Sequence, residues 1–116
     1  MTLEISELDA IKDSALKKFD ERVAKADPAN REEIEREAAR LESQLEQLYS
    51  LTALMARREV DMAKTADLWR GLVRICDVFA SRVSQLAQQH ALSTSAYASI
   101  LDLRGAAEEL RALHSR

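Results

Sequence analysis

A long heptad run between Ile34 and His90 most constrains what this chain can fold into. Its positions follow alternating steps of four and three residues in one register, with no proline and only one glycine between its ends. A repeat with a period of 3.5 residues is typical of long helices that pack side by side. The run consists of Ile34, Ala38, Leu41, Leu45, Leu48, Thr52, Met55, Glu59, Met62, Ala66, Trp69, Val73, Cys76, Ala80, Val83, Ala87 and His90.

The composition supports helices and little else. Two glycines and one proline in 116 residues leave few turns, and a sheet needs many. Apolar residues make up 47% and charged residues 32%, which suits one ordinary globular domain. We therefore predict an all-α fold, an antiparallel helical bundle of three to four long helices with coiled-coil-like heptad packing, in a single domain over residues 1–116.

Helix-stop signals divide the chain at two clear points, 27–30 and 90–95. In the first, Asn30 is a candidate N-cap with Glu33 completing a capping box, or Asp27 is the cap with Pro28 at the first helical position. In the second, three hydroxyl residues offer caps for a last helix. The expected helices are 3–26, 31–62, 66–90 and 95–114.

The middle two of these helices have an alternative interpretation as one continuous helix. A helix of about 60 residues would be roughly 90 Å long, and two shorter partners could not cover it within a monomer. The alternative is a break near residues 63–66 with Thr65 as the N-cap. Glu59, a charge on the apolar stripe, either sets the helix register or marks a nearby helix end.

The second half of the run is apolar around most of its circumference, which predicts either the central helix of the core or an oligomer interface. Two arginines on its narrow polar strip, Arg70 and Arg74, are possible phosphate contacts. The candidate interface residues are Leu68, Trp69, Leu72, Val73, Val78, Phe79 and Val83.

No catalytic, cofactor-binding or metal-binding motif is predicted. A di-iron bundle needs Glu-x-x-His motifs, but Ala87 and Arg111 stand three residues before the two histidines. The single Cys76 excludes an intrachain disulfide and lies on the apolar stripe, which predicts a buried, inert thiol. With no signal-peptide pattern at the N-terminus, we expect a cytoplasmic protein.

The expected function is association. A net charge of −3 argues against a surface built to bind nucleic acid or anionic membranes. We expect a non-enzymatic helical protein, a structural, adaptor or assembly subunit, whose partner is a second copy or another helical protein and not a membrane. The alternative is a helical subunit of a nucleic-acid-handling complex, such as phage packaging or a nucleoprotein effector.

One stretch of the chain resembles a known family. Arg58-Glu59-Val60, followed by Trp69, Leu72-Val73 and the segment 79–86, is similar to part of the phage small terminase subunits. The resemblance implies helices that assemble a DNA-packaging ring. The chain departs from that family because no DNA-binding helix-turn-helix domain precedes the stretch, and the glycine and proline usual near the Glu-Val element are absent.

Overall fold

The computed structural model describes residues 5–114 and folds them into four α-helices. These helices are α1 (Ile5–Lys25), α2 (Arg31–Arg58), α3 (Met62–His90) and α4 (Ala96–His114). No strand occurs within this part of the chain. The predicted all-α helical bundle is confirmed.

The helices run up, down, up and down. The methyl Cγ2 of Ile5 lies 3.7 Å from the position a Cβ would take on Gly71, and Asp20 pairs with Arg82, so α1 runs parallel to α3. Short connections make α2 antiparallel to α3, and α3 antiparallel to α4. Helices α2 and α3 each contact all three others, whereas α1 and α4 do not contact each other. The bundle is therefore flat, with extents of 50 × 26 × 15 Å, and α1 is an edge helix.

The long heptad run breaks into two helices at residues 59–61. Glu59 ends α2 in an extended conformation, so its position on the stripe does mark a helix end. The predicted N-cap at Thr65 is wrong, because Asp61 caps α3 and accepts a 2.9 Å hydrogen bond from the Ala63 N–H. Thr65 lies inside the first turn, buried, and donates its hydroxyl to the Asp61 carbonyl. The continuous helix does not form.

The connection between α1 and α2 resolves the other capping choice. The Asn30 side chain accepts from the Glu33 N–H at 3.2 Å, which satisfies one of the free donors at the start of α2. Asp27 instead accepts from the Ala29 N–H at 3.0 Å and stabilises the turn before the cap. A tight reversal follows, and α1 lies directly against α2.

The core contains nearly all of the residues that sequence assigned to a candidate interface. Only Val78 reaches the surface, at 37% exposure. Helix α3 is surrounded by the other three helices of the same chain, so its wide apolar circumference is covered without a second copy. The candidate interface side chains that are buried within this chain are Leu68, Trp69, Leu72, Val73, Phe79 and Val83.

Substitutions at two neighbouring residues, Phe79 and Val78, test this placement of α3. Phe79→Ala removes a fully buried ring, and we expect it to lower the free energy of unfolding by about 3–5 kcal/mol. Val78→Ala, one residue away and partly exposed, should cost less than about 1 kcal/mol. Urea unfolding followed by circular dichroism measures both. Equal losses would contradict the assignment of Phe79 to the core and Val78 to the surface.

Candidate functional site

The described residues hold little reactive chemistry. Among residues 5–114, no group of three or more His, Cys, Asp or Glu side chains is placed to hold a metal ion. Cys76 is fully buried. Its burial, the larger cause, and the nearby Asp77 carboxylate, the second, raise the pKa of its thiol to about 12. A thiol with so high a pKa stays protonated and unreactive at neutral pH. The described helices also include none long and apolar enough to cross a membrane.

The two candidate phosphate contacts lie on the exposed strip of α3. Arg70 pairs with Asp67, Nη1 to Oδ1 at 3.3 Å, and Arg74 is exposed one turn further on. Farther along the helix, Arg82 donates to both carboxylate oxygens of Asp20, at 2.7 and 2.9 Å. Two of these three arginines thus already have a carboxylate partner. A phosphate would have to displace those carboxylates or bind at Arg74 alone.

A surface groove separates α1 from α2 and is the candidate functional site. Its volume is about 420 Å³ and it is open to solvent. Its floor is apolar because Ala15 and Leu48, both buried, belong to the core. Two small residues one turn apart on α1, Ala10 and Ser14, keep it open. This α1–α2 groove is lined by Ala10, Ile11, Ser14, Ala15, Lys18, Gln44, Gln47, Leu48 and Leu51.

Ile11 is the apolar side chain that the groove leaves uncovered. It is 44% exposed, although it lies on the same apolar stripe as the buried Leu8 and Ala15. Its exposure follows from the position of α1 at the edge of the bundle, where only α2 and α3 contact it. The spacing of Leu8, Ile11 and Ala15 at steps of three and four predicts one buried stripe on this helix, and the exposure of Ile11 differs from that prediction. The available signal was the pair of small residues beside it, Ala10 and Ser14.

Two unpaired charges flank Ile11 along α1. Glu7, Ile11, Ser14 and Lys18 follow one another at steps of four, three and four, which places them on one side of the helix. Neither Glu7 nor Lys18 has an ion-pair partner within residues 5–114, while the neighbouring Lys12 is held by two aspartates. The opposite wall offers the uncharged amides of α2. The groove side of α1 therefore has an acidic end, an apolar middle and a basic end.

The other large exposed apolar side chains of the described residues do not line this groove. Val60, 96% exposed, and Met62 lie at the connection between α2 and α3. Tyr97 and Leu101 border a cleft between α3 and α4 whose remaining lining is mostly polar. Single exposed apolar side chains are normal on proteins of this size. The α1–α2 groove differs because its exposed apolar side chain continues into a core-lined floor.

The chain matches no protein-family model, no curated protein and no solved structure. The resemblance of residues 58–86 to phage small terminase subunits stays a prediction from sequence.

The buried thiol gives a prediction that is independent of any partner. In the native protein Cys76 should not react with a thiol reagent at pH 8, and it should react fully in denaturant. Because folding raises the pKa from 9.0 to about 12, the native state holds the proton more tightly than the unfolded state. Stability from this group is thus complete below pH 9 and is lost as the pH rises towards 12.

Urea unfolding between pH 8 and pH 11 measures this loss. Cys76→Ala is the control, because it keeps every other group that titrates in the same range. The wild-type protein should lose more stability with rising pH than the variant. Parallel pH profiles, or rapid native labelling at pH 8, would contradict the buried position of the thiol.

Proposed function

We propose that this chain is a non-enzymatic helical protein that acts by self-association or protein–protein contact, as a structural, adaptor or assembly subunit. The observation that carries the proposal is the α1–α2 groove, where apolar surface of the edge helix stays open to solvent. A groove between two helices is a surface that a third helix can fill. A cytoplasmic location belongs to the same proposal and is supported by the single reduced cysteine.

The energetics favour a contact that covers Ile11. Burying apolar surface stabilises a complex by roughly 25 cal/mol for each Å² removed from water. The groove also carries hydrogen-bonding amides, Gln44 and Gln47, at its edge, which resembles the apolar centre and polar rim of protein interfaces. Such a surface fits a moderate, reversible association better than an obligate one, because the core is complete within one chain.

A nucleic-acid-handling role is the alternative, and it has less support. Arg70 and Arg82 are paired with carboxylates, and the net charge of the chain is negative. A DNA and RNA binding assay at increasing salt separates the two functions. Tight, salt-sensitive binding that is lost in Arg70→Glu and Arg74→Glu would replace the association proposal with the alternative.

Light scattering coupled to size-exclusion chromatography tests the proposal. At micromolar concentration the mass should exceed the 13.0 kDa of one chain and rise with concentration. Ile11→Lys places a charge on the apolar wall of the groove and should return the mass to that of a monomer. Val60→Lys is the matched control, because it adds the same charge at an exposed apolar residue outside the groove. A wild-type monomer at every concentration would contradict self-association.

A further inference from the structure

We propose that the α1–α2 groove binds the same groove of a second copy of this chain, with the two α1 helices antiparallel across a two-fold axis. The inference rests on the proposed self-association and specifies its surface and symmetry. The axis would pass between Ile11 and Ser14. Interfaces of this kind use one patch twice, so the patch must be complementary to itself.

The charge order on α1 supplies that complementarity. An antiparallel partner centred between Ile11 and Ser14 places Glu7 opposite Lys18 of the second copy. The two-fold axis generates the same contact a second time, so Lys18 of the first copy also meets Glu7 of the second copy. Both side chains lack an ion-pair partner among the described residues, and they are free to form these two contacts. Each charge on this side of α1, from Glu7 to Lys18, is thereby matched.

The steric pattern agrees with the same register. Ile11 of each copy lies opposite Ser14 of the other, so a large side chain meets a small one at both places. Ala10 adds a second small residue, which lets the two helices approach. The polar edge contributed by α2 consists of Gln44 and Gln47, whose amides donate and accept and therefore tolerate either charge. Neither glutamine carries a charge that would repel Glu7 or Lys18 of the second copy.

A parallel pairing of the same two helices is disfavoured. It would place Glu7 against Glu7 and Lys18 against Lys18 of the second copy, and like charges at such distances destabilise a contact. The neighbouring face of α1 fits less well, because its Lys12 is already within 4 Å of Asp9 and Asp13, at 3.8 and 3.2 Å. Between Glu7 and Lys18, the groove face of α1 combines unpaired opposite charges with the exposed side chain of Ile11.

Charge reversal tests the register, with dissociation constants measured by sedimentation equilibrium. Glu7→Lys and Lys18→Glu each replace two attractions by two repulsions, and each should raise the dissociation constant roughly tenfold or more. An equimolar mixture of the two variants should regain wild-type affinity. In the mixed dimer the two mutated side chains meet each other with opposite charges, and the unmutated Lys18 of one copy meets the unmutated Glu7 of the other. The double variant should also dimerise, although it carries both changes on one helix.

Two matched controls separate the contact from a general effect of charge. Lys17→Glu reverses the adjacent exposed lysine on α1, which is not among the residues that line the groove, and Glu109→Lys reverses an exposed glutamate on α4, which does not contact α1. Neither should change the dissociation constant more than about twofold. Circular dichroism of each variant checks that the exposed substitutions leave the helices intact.

The outcomes distinguish this inference from the proposed function. The antiparallel groove interface is supported if the mixture recovers wild-type affinity and the two control variants leave the dissociation constant unchanged. An oligomeric wild type that is unaffected by Glu7→Lys and Lys18→Glu would overturn the interface and leave self-association standing on another surface. Weakening without recovery in the mixture would overturn the two-fold register. A monomeric wild type would overturn both the interface and self-association.

Discussion

The structure depends on covering the wide apolar circumference of α3. Phe79 and Cys76 lie on it with no exposed surface, and three helices of the same chain are needed to enclose it. This requirement explains the reversal at residues 59–61, because an unbroken helix would carry α3 away from α2. It also explains the flat shape. Helices α2 and α3 form the centre, and α1 and α4 pack on either side of them without contacting each other. The edge position of α1 then leaves one of its sides open.

Much of this fold could be predicted from the sequence, because a heptad register specifies which side of a helix is buried. The positions from Ile34 to Val83 on the stripe are buried, apart from those at the break near Glu59 and Met62. The exact start of α3 could not be predicted, since Asp61 and Thr65 are both good capping residues and their spacing suits either choice. Burial of Thr65 by neighbouring helices is a tertiary effect, and local sequence does not contain it.

The candidate site was harder to predict than the fold, for a physical reason. An apolar stripe shows that a side chain needs covering, but it does not show whether the cover comes from the same chain or from a second one. The candidate interface residues on α3 are covered by the same chain, whereas Ile11 on the stripe of α1 stays exposed, and the two stripes look alike in sequence. The tertiary arrangement resolves it, because α3 has three neighbours and α1 has two. We propose that association uses α1, because its groove side is left uncovered.

One chain completes its own core, and we propose that it associates through surface that remains outside that core. Trp69, the single tryptophan, is 3% exposed and packs on Tyr49 with ring centroids 5.5 Å apart, so its fluorescence reports that core directly. The decisive measurement is Trp69 emission and helical circular dichroism during dilution to nanomolar protein, where association is lost. We expect blue-shifted Trp69 emission and full helicity in the dissociated monomer. A red shift with loss of helix on dissociation would contradict it, because the core would then be built between chains.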